Sequence, residues 1–107
     1  MKNLKTKPHK ELIIKGKYKE FGDFYEKNKE TIYKSIIELF GEFKTSKEES
    51  LILHIMAKID GIEWDTEFSF SRQESVVLSR DILPYFEENE DYEVCHEIIK
   101  LKKELTL

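Results

Sequence analysis

The sequence predicts a small α+β domain in which an antiparallel hairpin sheet of two or three strands is covered by about three helices. Two alternating apolar runs flank Asp60-Gly61, and three stretches combine helical periodicity with capping residues. A length of 107 residues suits one domain, and 39% hydrophobic residues suffice for a core despite 37% charged residues. We expect a flexible basic arm over residues 1–10 and a single domain over residues 11–107.

The hairpin is predicted by residues 51–70. Asp60-Gly61 suits a two-residue turn in which both residues take positive φ. If Ile59 faces Ile62, positions equidistant from the turn lie opposite each other, and the large apolar side chains share one face. The other face then pairs Lys58 with Glu63, Met56 with Asp65 and His54 with Glu67. Trp64 would be buried, so its truncation to alanine should cost about 3 to 5 kcal/mol.

Residues before the hairpin predict one strand and one helix. Apolar side chains alternate over residues 11–18, which indicates a third strand. A helical stripe over residues 24–40 follows Asp23, a capping residue, and Gly41 should close the helix. Lys29 interrupts the stripe, so either its aliphatic stem lies along the apolar surface or the helix starts later, capped by Asn28.

Two further helices are predicted after the hairpin. Ser71 and Glu74 form a capping-box pattern, and Pro84 should end that helix near Ile82, although a strand over residues 76–78 is an alternative. Asn89 can cap the last helix. Its apolar stripe contains Val94, Ile98, Leu101 and Leu105, widened by Tyr92, Cys95 and Ile99.

The charge distribution is asymmetric. Residues 1–19 hold seven lysines against one glutamate, whereas residues 20–107 hold eleven basic and twenty-one acidic residues. The net negative charge of residues 20–107 disfavours broad contact between this part of the chain and the phosphate backbone of a nucleic acid. The single cysteine, Cys95, cannot form an internal disulfide, which favours a reducing compartment. No secretory signal or membrane-length apolar run stands out, so we expect a cytoplasmic protein.

The last predicted helix contains candidate metal ligands and a candidate nucleophile, but the sequence gives little support for either role. His96-Glu97 resembles the start of a zinc-protease motif, but Lys100 stands where the second histidine is needed. Glu93 and His96 have the Glu-x-x-His spacing of di-iron bundles, yet the motif occurs once. Cys95 adjoins His96, but neighbours on a helix point in different directions, so a core role is favoured.

His54 opposite Glu67 is the remaining candidate for a general base. A catalytic base needs a substrate pocket, and the sheet face that carries this pair is expected to be solvated. We therefore expect no catalytic residue, no metal and no cofactor.

Two acidic sets are candidate partner-binding surfaces, although charged faces are also common on any soluble domain. The first projects from one strand, and the second crowds the start of the last helix. They are Glu63, Asp65 and Glu67, and then Glu87, Glu88, Glu90, Asp91 and Glu93, with Glu97 nearby.

The basic arm supports an alternative function, that of a small nucleic-acid-binding accessory protein, although a solubilising tail explains it equally well. The lysines that would contact RNA or DNA are Lys5, Lys7, Lys10, Lys15, Lys17 and Lys19. The sheet should also leave one strand edge open, where a second copy of the chain could pair.

The chain is similar to the small inhibitor proteins of phage or mobile-element origin, including anti-CRISPR proteins, and to antitoxins and immunity proteins. The similarity lies in its size, its composition rich in lysine, glutamate and isoleucine, and its acidic faces. The resemblance implies a non-enzymatic protein that inhibits a larger protein or ribonucleoprotein, such as a bacterial defence nuclease, by stoichiometric binding.

Overall fold

Three strands and three helices make up the part of the chain that a computed structural model describes, residues 9–105. In chain order they are β1 (Lys10–Tyr18), α1 (Phe21–Glu42), β2 (Ser50–Ile59), β3 (Ile62–Ser71), α2 (Arg72–Glu88) and α3 (Tyr92–Leu105). The predicted α+β class is confirmed. None of these helices is long and apolar enough to cross a membrane. Residues 1–8, most of the predicted arm, lie outside the described residues.

The sheet is mixed, with strand order β1-β2-β3. β3 runs antiparallel to β2, whereas β1 is parallel to β2. The parallel pairing follows from α1, because a chain that leaves one strand and returns through a helix arrives running in the same direction. The predicted third strand therefore forms, but it does not extend the antiparallel meander.

The hairpin has the register that the turn chemistry predicted. Ile59 lies opposite Ile62, and the pairing continues without a break to Ser50 opposite Ser71. Asp60 and Gly61 have φ values of 52° and 75°, as a two-residue turn with positive φ at both positions requires. The register prediction is confirmed along the whole hairpin.

One face of β2 forms the floor of the core. Its alternate residues Leu51, Leu53, Ile55 and Ala57 are buried, whereas the residues between them are partly or fully exposed. All three helices contribute buried side chains above this floor. The largest that they supply are Phe24, Leu39, Phe40, Phe86, Ile98 and Leu101.

Helix α1 is longer at both ends than predicted. It begins at Phe21 after Glu20, which makes no side-chain cap, so the expected Asp23 cap is wrong; Asp23 pairs instead with Lys27 at 3.3 Å. The helix also passes through Gly41, because buried Phe43 holds the next turn against the core.

Lys29 lies along the apolar surface, as one of the two interpretations of its position required. Its Nζ atom is 5.4 Å from the ring centre of Tyr25 and 5.8 Å from that of Tyr85. The ammonium group also pairs with Glu26 at 3.3 Å. Asn28, the alternative cap, lies within α1 and donates a hydrogen bond to the Phe24 carbonyl.

Helix α2 begins as predicted but ends later. The Ser71 Oγ accepts from the Glu74 amide at 3.1 Å, and the Glu74 carboxylate accepts from the Ser71 amide at 2.8 Å. Residues 76–78 are helical rather than a strand, and α2 continues past Pro84 to Glu88. Pro84 is exposed, whereas Phe86 beyond it is fully buried, so core packing outweighs the cost of the proline.

The cap of α3 is Asp91 rather than Asn89. An Asp91 carboxylate oxygen accepts from the Val94 amide at 3.4 Å. Asn89 ends α2 instead, with its side-chain amide donating to the Tyr85 carbonyl at 2.7 Å. Glu90 reverses the chain between the two helices with a φ of 55°.

Trp64 is half-buried rather than buried, with its ring centre 5.2 Å from that of Phe21 and 5.6 Å from that of Phe24. We therefore expect Trp64→Ala to destabilise the fold by about 2 to 3 kcal/mol, less than the roughly 3 to 5 kcal/mol for fully buried Phe24→Ala. Urea titration of both variants measures the difference. Equal losses would contradict the partial exposure of Trp64.

Pro84→Ala should stabilise the protein by about 1 to 3 kcal/mol. Proline within a helix leaves the carbonyl four residues earlier, that of Arg80, without an amide partner, and alanine restores that hydrogen bond. Because Pro84 is exposed, the substitution removes no core contact. Thermal and urea unfolding measure the gain; a loss of stability would mean that restricting the unfolded chain is the larger effect of Pro84.

Candidate binding surfaces

The sheet has one face turned away from the helices, here called the open face. β1, β2 and β3 each contribute alternate residues to it, since side chains on one strand alternate between faces. Its members are Glu11, Ile13, Lys15, Ile52, His54, Met56, Lys58, Glu63, Asp65, Glu67 and Ser69. The predicted strand stripe of Glu63, Asp65 and Glu67 is part of this face.

His54 occupies the middle of the open face and joins all three strands. Its Nε2 atom is 2.5 Å from a carboxylate oxygen of Asp65 on β3, and its Nδ1 atom is 3.4 Å from one of Glu11 on β1. Glu67 lies opposite His54 in the register, but the hydrogen bond goes to the diagonal neighbour Asp65. The hydrogen bond to Asp65 raises the pKa of His54 above its ordinary value, against the opposing effect of burial.

This constellation does not form a metal site. The two carboxylates approach opposite nitrogens of the His54 ring, so they do not converge on a common point. Within residues 9–105 no three His, Cys, Asp or Glu side chains are arranged to hold a metal ion. Glu93 and His96 are both exposed on α3.

A shallow groove of about 490 Å³ crosses one end of the open face. Ile13 and Met56 are the apolar residues of the open face that line it, with Lys15, Lys58, Glu63 and Asp65 around them. Lys58 lies opposite Glu63 in the register, Asp65 bonds to His54, and Lys15 lines the same groove. The strand stripe is thus part of a mixed-charge surface rather than a uniformly acidic one.

The second acidic set surrounds the junction of α2 and α3, here called the turn surface. Glu87, Glu88, Glu90 and Glu93 are exposed, and none forms an ion pair with another described residue. Asp91 differs from them, because it caps α3 and lies 3.9 Å from Lys34. This set belongs to the helical layer, so it does not join the strand stripe.

Tyr92 stands among these glutamates with 67% of its surface exposed. Its place in the helical period predicted that it would widen the buried stripe of α3, as Cys95 does, but this prediction is wrong for Tyr92 and for Ile99. Tyr92 is the first residue of α3, and the α2–α3 junction leaves it without a covering element. An exposed aromatic ring beside these glutamates is a candidate binding feature that periodicity alone could not identify.

Cys95 is buried beneath the turn surface. Burial raises the pKa of its thiol, and the carboxylates of Glu87 and Asp91 act in the same direction. The thiolate that a nucleophile requires is therefore disfavoured. The predicted core role agrees with this position.

The candidate nucleic-acid-binding lysines among the described residues have different surroundings. Lys10 pairs with Glu38 on α1 at 3.0 Å, and Lys15 lies on the open face. Lys17 and Lys19 are exposed near the end of β1, and Lys5 and Lys7 lie outside the described residues.

Comparison with protein-family models, curated proteins and solved structures gives no match to this chain. The two binding surfaces are therefore interpreted from their own geometry and charge.

The His54 contacts predict a pH-dependent contribution to stability. Because its pKa is raised on folding, stabilisation is complete below the unfolded-state pKa of about 6.5 and is lost as pH rises through the folded-state pKa. The loss of stability caused by Asp65→Asn should be largest near about pH 5 to 6 and should decline as pH rises above about 6.5 and through the folded-state pKa of His54. Urea titrations at several pH values measure it.

The control for this prediction is the same Asp65→Asn substitution in a His54→Gln background. Without the imidazole, the effect of Asp65→Asn should be nearly independent of pH over this range. A pH dependence that persists in that background would assign the effect to another group.

Proposed function

We propose that this protein is a non-enzymatic binding protein that inhibits a larger macromolecule, such as a bacterial defence nuclease, and that its turn surface contacts a basic region of the target. The observation that carries this proposal is the exposed Tyr92 ring among four unpaired glutamates. Carboxylates attract lysine and arginine over a distance, and a tyrosine face binds an arginine guanidinium at short range. Tyrosine is also common among the residues that dominate binding energy.

The turn surface is held in place by its own hydrogen bonds. Asn89 bonds to the Tyr85 carbonyl, and Asp91 caps α3 while lying 3.9 Å from Lys34. Buried Phe86 and Cys95 anchor the two helix ends below it. A rigid surface loses little conformational entropy when it binds, which favours affinity.

The contacts of the two His54 ring nitrogens favour a binding role over catalysis. Each of its ring nitrogens faces a carboxylate, so neither is directed towards a substrate as a general base must be. The strand stripe is the weaker candidate of the two acidic surfaces, because Lys58 lies across from Glu63 and the Asp65 carboxylate already bonds to His54. The turn surface is therefore the preferred contact region.

The test begins with parallel pull-downs from a lysate of the native host, with the wild type and a variant carrying Tyr92→Ala, Glu88→Lys and Glu90→Lys as baits. These residues are exposed, so circular dichroism should show an intact fold. A partner retained by the wild type should bind the variant at least about tenfold more weakly, or roughly 1.4 kcal/mol. Association with the wild type should slow as salt screens the attraction.

The matched control reverses the strand stripe instead, through Glu63→Lys and Glu67→Lys, which are also exposed. The proposal requires this variant to keep its affinity within about threefold, or roughly 0.7 kcal/mol. Loss of binding only in the control would move the interface to the open face. Binding to RNA or DNA that is unchanged by both variants and falls steeply with salt would favour the nucleic-acid alternative.

A further inference from the structure

β1 is an outer strand of the sheet, and no described residue pairs with its far edge. Ile13, near the middle of the strand, is 63% exposed on the open face. An outer strand with unpaired amide and carbonyl groups is a template for another strand.

The direction of the backbone groups follows from the hairpin register. Ile59 and Ile62 flank a two-residue turn and so form a hydrogen-bonded pair, and successive residues of β2 then alternate between β3 and β1. His54 is one of the β2 residues that direct their backbone amide and carbonyl towards β1. Since it is the parallel partner of Glu11, its groups bond to the residues on either side of Glu11.

Glu11 therefore directs its own amide and carbonyl away from the sheet, and by alternation so do Ile13 and Lys15. The hydrogen bond from the His9 amide to the Ile52 carbonyl, 2.9 Å, shows that Ile52, two residues before His54, also faces β1. His9 itself precedes the first residue of β1, so its inward-facing amide lies outside the regular alternation of the strand. The backbone groups of Glu11, Ile13 and Lys15 thus face a partner strand, although the Lys15 carbonyl already accepts a hydrogen bond from the Tyr18 hydroxyl.

We propose that β1 pairs antiparallel with β1 of a second copy of this chain, with the two-fold axis at Ile13. Ile13 then lies opposite its equivalent, and Glu11 lies opposite Lys15 of the second copy on the same face. By symmetry, Lys15 also lies opposite Glu11 of the second copy. Each of these pairs places outward-facing backbone groups opposite each other, as an antiparallel ladder requires. Opposite charges in direct cross-strand positions are stabilising, and Ile13 loses its exposure to water.

The same self-pairing is unfavourable at β3, the other outer strand. Glu63, Asp65 and Glu67 alternate along one of its faces, so an antiparallel pair centred on Asp65 would place carboxylates opposite carboxylates. The pattern of charge thus selects β1 as the self-complementary edge.

The length of β1 limits the strength of this dimer. Gly16 has a φ of 140°, and the pairing with β2 is irregular between Ile14 and Tyr18, so the regular edge ends near Lys15. The Lys15 carbonyl also accepts from the Tyr18 hydroxyl at 3.3 Å. A ladder of about five residues buries less surface than a permanent dimer needs, so the dimer should dissociate on dilution.

Sedimentation velocity of the full chain over a wide concentration range tests the proposal. The wild type should shift from monomer to dimer as concentration rises, and Ile13→Lys should remain monomeric because two lysines would meet at the axis. Ile62→Lys is the matched control, since Ile62 is an equally exposed isoleucine, at 69%, on β3. It should leave the dimer unchanged. A wild type that is monomeric at every concentration, or a dimer lost only in the Ile62 variant, would overturn the proposal.

Charge exchange gives a second test that does not depend on the isoleucines. Glu11→Lys or Lys15→Glu alone places like charges opposite each other and should weaken the dimer, whereas the double variant restores opposite charges and should recover it. Circular dichroism of each variant confirms folding. Recovery in the double variant supports the predicted register, and its absence in folded protein contradicts it. The turn surface takes no part in this contact, so the result is independent of the proposed function.

Discussion

The two-residue turn at Asp60-Gly61 sets the register of β2 against β3, and most other features depend on that register. It places Leu51, Leu53 and Ile55 on the face that the helices cover. It also fixes which residues of β2 direct their backbone groups towards β1. A shift of one residue would expose the core side chains and bury charged ones, a cost far larger than any single surface interaction.

Burial of aromatic side chains in the core also explains why α1 and α2 continue past residues that commonly end a helix. Pro84 and Gly41 both mark plausible ends in the sequence, yet α2 passes the first and α1 the second. Phe86 and Phe43 lie just beyond these residues and are buried. A local backbone cost of about 1 to 3 kcal/mol is comparable to what one buried aromatic side chain contributes, and the additional helical hydrogen bonds favour continuation.

The two acidic sets have different surroundings although they look alike in sequence. The strand stripe lies across from Lys58 and His54 on the neighbouring strand β2, and Asp65 bonds to His54. The glutamates of the turn surface are exposed where the chain reverses, with Lys34 close to Asp91 and lining the same groove as Glu93. The exposed Tyr92 ring beside them makes the turn surface the stronger candidate for binding a basic partner.

The sequence by itself determined the hairpin, its register, the start of α2 and the membership of both acidic sets, because turn chemistry, period-two alternation and capping act between residues close in the chain. Only the tertiary structure decided the parallel position of β1, the exposure of Tyr92 and the contacts of His54 with Glu11 and Asp65. These features depend on packing between distant segments. Local patterns do not specify which strand edge or helix end the rest of the chain leaves uncovered.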